Sequence, residues 1–241
     1  LVKELEKKGI LDNTLILFFS DNGGNAESGV KGITQGDTLG NRNSNVFLGQ
    51  CWAELNNTPF WLYKHHTSEG GIASPFIVHW PQGIPKKRNG EIIHEPAHIV
   101  DIMPTLLDIG GGTYPSLFHG NTIKKPGGIS LNPVFKGKKV NRTEPIFWEH
   151  EGNRAIRVGD WKAVSNLTES WQLYNMAKDR AELKDVSIGR HIINPNTDST
   201  KTMTVLLYQT DDTNKEFDKN KIDQWLKQKF KTNEIKIVCQ Q

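Results

Sequence analysis

Apolar residues 1, 2 and 5 fall on one helical face of the opening segment, and Gly9 ends that pattern. Residues 14–20, Thr-Leu-Ile-Leu-Phe-Phe-Ser, form a run of strand formers without alternation. Such a run predicts a buried parallel strand, with helices over both sheet faces and the preceding helix as its crossover. A second apolar run, residues 75–80, stops at Pro81-Gln-Gly83. Between the two, residues 21–59 are dense in Gly, Asn, Ser and Thr. That stretch far exceeds the usual connection of about 4–6 residues, which predicts a functional loop leaving the strand's carboxyl end. Residues 100–109 carry apolar side chains at helical spacing before the stop Gly110-Gly-Gly, and predict an amphipathic helix. After Pro126 the pattern changes to short runs at 145–148, 154–158, 161–164 and 171–174, which predict an antiparallel meander. A strand-like run at 205–208 and helical periodicity through Ile222, Trp225, Leu226 and Phe230 follow. The whole reads as α/β: a layered α/β domain over residues 1–125 and a smaller antiparallel β subdomain with a terminal helix over 126–241.

Composition narrows the function classes. The 241 residues carry 30 Lys+Arg against 27 Asp+Glu, a net charge of +3 with 36% hydrophobic residues, which describes a soluble globular chain rather than a disordered or collagenous one. No block of five or six like charges occurs, so a nucleic-acid footprint is unsupported, while small anionic substrates stay open. The longest apolar runs, 15–19 and 205–208, fall far short of the roughly 18 residues of a membrane span. Cys51 and Cys239 are too few for a disulfide framework. The first residue is Leu1, already inside a helical pattern, so a secretion signal is expected upstream if the protein has one.

Two segments carry candidate chemistry. Asp21-Asn22-Gly23-Gly24 follows a strand directly, and its carboxylate and amide oxygen are hard donors for Ca²⁺ or Mg²⁺, with glycines that let the backbone turn beneath an ion. The same four residues also suit a plain turn. In Lys64-His-His-Thr-Ser-Glu69-Gly70-Gly71, Lys64 is a point charge for an anionic oxygen, His65 and His66 are proton donors, and the glycines permit close backbone approach. A solvated loop is the competing reading. His79, His94, His98, His119 and His191 read as structural. The H-E-x-x-H, C-x-x-C, EF-hand and G-x-S-x-G patterns do not occur, and the glycines at 110–112 follow a helix rather than a strand, so they read as a helix stop.

Taken in order, these segments resemble the sulfatase family, its arylsulfatase branch in particular, within the alkaline-phosphatase-like superfamily. The resemblance covers about residues 1–186. It rests on residues 12–24, on Trp52-Ala with Asn57-Thr-Pro-Phe60, on Lys64 with Glu69-Gly-Gly71, on 75–81 and on 98–108. It continues with Phe147-Trp-Glu-His-Glu-Gly-Asn-Arg-Ala155, Gly159-Asp-Trp-Lys162, Trp171-Gln-Leu-Tyr174 and Asp179-Arg-Ala-Glu-Leu183. The resemblance implies the C-terminal portion of an alkaline-phosphatase-like α/β sandwich. It implies a sulfuric ester hydrolase that uses a formylglycine nucleophile on Ca²⁺, with Asp21 and Asn22 as metal ligands and Lys64 as a catalytic residue contacting the sulfate ester. His150 and Arg154 are implied as substrate-binding residues at the pocket border.

The family's nucleophile motif, C-x-P-x-R or S-x-P-x-R, its first pair of metal-binding aspartates and its catalytic histidine are expected upstream of Leu1, and this chain alone is expected to be inactive. Cys51 lacks the Pro and Arg of that motif and is expected to be a loop or buried thiol rather than the nucleophile. A phosphoester hydrolase of the same superfamily, and a non-catalytic anion-binding module using Lys64, Arg154 and Arg157, are the alternatives. The implied partner is a sulfate-ester small molecule or glycan, and the resemblance fits a periplasmic, secreted or lysosomal-type compartment. Sequons at Asn56, Asn141 and Asn166 would serve only in a glycosylating host. A slice of parallel sheet is further expected to leave an unpaired edge and an uncovered face.

Overall fold

A computed structural model describes residues 1–167, 169–187, 203–208 and 235–240. In chain order its elements are α1 (Val2–Lys7), β1 (Ile16–Phe19), β2 (Ile33–Gln35), β3 (Asn45–Phe47), α2 (Gln50–Asn56), α3 (Glu69–Ile72), β4 (Phe76–His79), α4 (Ile102–Gly110), β5 (Leu117–Phe118), β6 (Asn121–Thr122) and α5 (Asn132–Phe135). They continue with β7 (Ile146–His150), β8 (Asn153–Val158), β9 (Trp161–Ser165), β10 (Gln172–Asn175), β11 (Met203–Tyr208) and β12 (Ile235–Gln240). The chain divides into two units, Leu1–Asp21 with Ser74–Ile146, and Asn22–Ala73 with Phe147–Gln241. Helical periodicity at residues 219–230 lies outside the described residues.

In the first unit, β1 pairs with β4 antiparallel in the register Ile16↔His79 to Phe19↔Phe76, and the Phe19 and Phe76 rings meet edge to face with centroids 5.6 Å apart. This corrects the expectation of a buried parallel strand. Phe18 is 68% exposed and Ile77 58%, because a two-stranded sheet has too few neighbours to cover both of its faces. The uncovered apolar face that the parallel-slice reading anticipated is therefore present, on an antiparallel pair. α4 forms where the helical spacing placed it and stops at Gly111, whose φ of +66° is the left-handed conformation that glycine adopts without steric cost.

Asp101 organises the approach to α4. Fully buried, it accepts from the backbone N–H of His98 at 2.8 Å and of Ile129 at 3.0 Å, and it pairs with the Arg142 guanidinium. Thr105 donates to the Asp101 carbonyl at 2.6 Å and accepts from the Leu131 N–H at 2.9 Å, which fastens α4 to the start of α5. Burial pushes the His98 imidazole below its usual pKa.

In the second unit, the stretch read as one long loop contains secondary structure of its own. β2 and β3 form an antiparallel hairpin in the register Ile33↔Phe47, and α2 follows directly. Short, mostly exposed strands such as these leave little hydrophobic periodicity in the sequence. Cys51 lies exposed on α2, which corrects its reading as a loop or buried thiol.

The predicted meander forms as a four-stranded sheet in the order β10-β9-β8-β7, with β9 antiparallel to both β8 and β10. Its turns explain the register. Glu151 and Gly152, the two residues between β7 and β8, both have positive φ, +50° and +85°, the signature of a type I′ hairpin whose twist matches the flanking strands. Ala155, Val164, Tyr174 and Met176 form the core of the sheet's buried face, with Trp148 packed against it. β11 and β12 pair in parallel, Met203↔Ile235 to Tyr208↔Gln240.

Candidate functional site

The Gly-rich segments at 22–24 and 61–71 are laced together by backbone bonds within the second unit. Gly23 N–H donates to the Gly71 carbonyl at 3.0 Å, Lys64 N–H to the Gly24 carbonyl at 3.0 Å, and Gly70 N–H to the Trp61 carbonyl at 2.9 Å. Asn57 seals the junction: its Oδ1 accepts from Gly24 N–H and its Nδ2 donates to the Leu62 carbonyl, both at 2.9 Å. Glycine is required here by space. A Cβ on Gly70 would overlap the carbonyl oxygens of Trp61 and Leu62, and one on Gly23 would overlap the Gly70 carbonyl.

Lys64 emerges from this junction and its ammonium lies 2.8 Å from Glu27 Oε1. The same oxygen stands 3.2 Å from His65 Nε2. Glu27 is oriented by Asn25, whose Oδ1 accepts from the Glu27 N–H at 2.7 Å and whose Nδ2 donates to Oε2 at 2.8 Å. The Lys64 hydrogen bond, and then that of Asn25, hold the Glu27 carboxyl below its usual pKa. Neighbouring His66 is half-buried, and desolvation pushes its imidazole below the usual value.

His65 adopts φ +84°, a conformation uncommon outside glycine, and its ring lies beside that of His150, with centroids 5.0 Å apart. Its Nδ1 faces the β7–β8 turn, 3.0 Å from His150 Nε2 and 3.3 Å from Glu151 Oε2. Asn153 Nδ2 donates to the His65 carbonyl at 2.9 Å while Asn153 Oδ1 accepts from Leu167 N–H at 3.1 Å, so the turn and the His65 backbone are held together.

Beneath the junction, Glu69 anchors it to the meander. Lys162 is fully buried on β9, where alternation points it to the same face as Val164. Its ammonium pairs with Glu69 Oε1 at 2.9 Å and Glu182 Oε1 at 2.7 Å, and sits 5.7 Å from the Trp148 ring centroid. Glu182 Oε2 accepts from the Glu69 N–H at 2.7 Å, and Arg180 Nε lies 3.4 Å from Glu69 Oε2. Burial raises the Glu182 carboxyl above its usual pKa, against the pull of Lys162.

Of the residues proposed from the sequence, Lys64, Asn22, His150 and Arg154 fall in one unit. Lys64 is tied to the Asn22-Gly24 segment through backbone and, by way of Glu27 and His65, to His150. Asn22 donates its side-chain N–H to the Gly23 carbonyl at 2.8 Å. Asp21 is exposed and closes the first unit in the residue before. Arg154, on β8, donates from Nε to the Gly152 carbonyl of the β7–β8 turn at 3.4 Å. Sequence reasoning did not single out Glu27, Glu151, Asn57 or the Lys162 network. The only signals were a local Asn-x-Glu pattern and a lysine at a core-facing position of a strand.

Residues 1–112 match the sulfatase family model, and residues 181–240 match a domain of unknown function (DUF8492). The chain is 32% identical over 202 residues to an uncharacterized sulfatase of Schizosaccharomyces pombe, covering 76% of this chain and 36% of that protein. It is 29% identical over 187 residues to the N-acetylgalactosamine-6-sulfatase of Mus musculus, covering 76% and 30%. Among solved structures, Ps i-CgsB in complex with k-i-k-neocarrahexaose superposes with a TM-score of 0.55 at 29% identity, covering 77% of this chain and 35% of that one. The chain thus spans about a third of the length of these relatives. With the family match at its N-terminal half, sulfatase relatives along three quarters of its length and a structural neighbour of the same architecture, this chain belongs to the sulfatase family and carries part of its alkaline-phosphatase-like α/β fold.

Proposed function

We propose that this chain is the C-terminal part of a sulfuric ester hydrolase in which Lys64 contacts the sulfate ester. The observation that carries the reading is the junction of residues 22–24 with residues 61–71. It ties a cationic side chain, Lys64, by a 3.0 Å backbone bond to the segment that opens with Asn22. A fixed ammonium beside an oxygen-donor segment suits stabilisation of the charge that builds on sulfate oxygens during displacement.

The donor set of Asp21 and Asn22 is all oxygen, which fits Ca²⁺ rather than a thiophilic metal, and two side chains leave most of the six to eight oxygens of a Ca²⁺ shell to other groups. Bound there, the cation would supply Lewis-acid stabilisation of negative charge. The formylglycine nucleophile belongs to the part of the family fold outside these residues. Glu27 positions the Lys64 ammonium, and the Lys162–Glu69 network positions the turn from which Lys64 projects. His150, 3.0 Å from His65, is assigned to contact a sulfated sugar or aryl group of the ester. The similarity to proteins named arylsulfatase and N-acetylgalactosamine-6-sulfatase supports an aryl or glycan sulfate as the ester.

The test uses the full-length protein. Asp21→Ala and Lys64→Ala are each expected to lower turnover of an aryl sulfate by about 10²-fold or more, as for removal of a preorganised charge at a reacting centre. Unchanged turnover in either variant removes that residue from the site. An aryl phosphate hydrolysed faster than the sulfate by the unaltered protein overturns the assignment of the ester.

A further inference from the structure

The His65–His150–Glu151 corner holds more ligand chemistry than sulfate-ester binding uses. His65 Nδ1, His150 Nε2 and the Glu151 carboxylate all lie within 4.8 Å of one another. The shortest separations are 3.0 Å between the two nitrogens and 3.3 Å between His65 Nδ1 and Glu151 Oε2. Two donors at about 2.0–2.1 Å from a tetrahedral Zn²⁺ stand about 3.3 Å apart, so both spacings match adjacent edges of one coordination tetrahedron. The remaining edge closes by rotation of Glu151, whose side chain is 68% exposed.

The outer contacts are those of a ligating histidine. Glu27 Oε1 stands 3.2 Å from His65 Nε2, so the tautomer with its N–H on Nε2 donates to Glu27 and presents the Nδ1 lone pair toward His150 and Glu151. A neutral imidazole has a single N–H, yet His65 has a carboxylate at each nitrogen, Glu27 and Glu151. A cation at the Nδ1 corner satisfies His150, Glu151 and His65 together. Backbone geometry presets the corner, since His65 and Glu151 both hold positive φ and Asn153 binds the His65 carbonyl.

We propose that His65 Nδ1, His150 Nε2 and Glu151 bind a divalent transition metal of the Zn²⁺ class, with Glu27 as the orienting carboxylate and one coordination position left for water or an anionic ligand. Two imidazoles and one carboxylate select such an ion over Ca²⁺, which takes oxygen donors. Through Glu27, the carboxylate shared with Lys64, the metal would couple to the lysine assigned to the sulfate ester. The site itself does not depend on that assignment.

The experiment is a Zn²⁺ titration of the purified protein in competition with a chromophoric chelator, repeated with Co²⁺ to read coordination geometry from the ligand-field spectrum. One Zn²⁺ per chain is expected to be lost in His65→Ala and in His150→Ala, with affinity falling at least ~10-fold. Glu27→Gln should weaken binding by about 10-fold while the Co²⁺ spectrum stays tetrahedral. Excess Ca²⁺ should leave Zn²⁺ binding unchanged. Circular dichroism and melting of each variant confirm folding, and Glu151→Gln serves as a second, isosteric probe that should also weaken binding. Unchanged Zn²⁺ affinity in folded His65→Ala or His150→Ala, displacement by Ca²⁺, or no stoichiometric Zn²⁺ uptake would overturn the site. Because the readout is metal binding, failure of the Lys64 turnover test leaves this result interpretable.

Discussion

Replacing Lys162 with methionine removes a buried ammonium while keeping the length of the side chain. Lys162 is fully buried, 2.9 Å from Glu69 Oε1 and 2.7 Å from Glu182 Oε1, with Trp148 at 5.7 Å, so its loss leaves two buried carboxylates facing one another. Breaking a buried pair by removing one partner costs about 3–5 kcal/mol, and the lost ring contact adds about 0.5–2 kcal/mol. A penalty of about 4 kcal/mol is expected, or about 10³-fold in the folding equilibrium, out of a typical total of about 5–15 kcal/mol. The assay is denaturant unfolding followed by tryptophan fluorescence, since Trp148 and Trp161 lie in the affected strands.

The sign of the pH response follows from Glu182. Burial raises its folded pKa above the ordinary 4.5, and without Lys162 nothing beside it opposes that rise as strongly. The stabilising contribution of such a group is present below the unfolded pKa and is lost as pH rises through the folded value. The Lys162→Met penalty should therefore be largest at neutral pH and shrink on acidification toward 4.5. Glu182→Gln should cost less than Lys162→Met, because Gln can still accept from the Glu69 N–H and Lys162 keeps Glu69 as partner. A Lys162→Met penalty below about 1 kcal/mol, or one that does not fall with pH, would refute the reasoning.

Two other effects can be measured on the same protein. Gly70→Ala is expected to destabilise by about 1–3 kcal/mol in a denaturant melt, because its Cβ would overlap the backbone carbonyls of Trp61 and Leu62, which cannot rotate away. Burial depresses the imidazole pKa of both His66 and His98, so stability present above about 6.5 is lost as pH falls through their folded values; melting temperature should drop between neutral and mildly acidic pH, and less so in His66→Gln.

Much of the second unit was legible because its signals are local. The strand runs at 145–148, 154–158, 161–164 and 171–174 correspond to β7 to β10 within a residue or two, since period-2 burial and two-residue turns act over a few positions. α4 and its glycine stop were equally readable. The residues 14–20 were not. Their unbroken apolar run suggested a strand sealed on both faces, whereas β1 takes an antiparallel partner and leaves Phe18 exposed. Apolarity records which residues favour burial, not how many elements are at hand to bury them.

The site divides in the same way. Lys64, Asp21 and Asn22 were nominated because charge, oxygen donors and glycine stand next to one another in the chain. Glu27, 37 residues before Lys64, and Glu151, 86 residues after His65, entered the picture through contacts that no spacing rule encodes. Lys162 is the sharpest case, a lysine on a strand that would ordinarily read as a solvent position, buried because Glu69 and Glu182 meet it. By itself the sequence determined the local elements, the turns where only glycine fits, and the order of segments that marks the sulfatase family. Tertiary structure alone decided strand partners, burial and the company each charge keeps, because these depend on loop closures that bring together groups tens to more than a hundred residues apart, where local propensity carries no information.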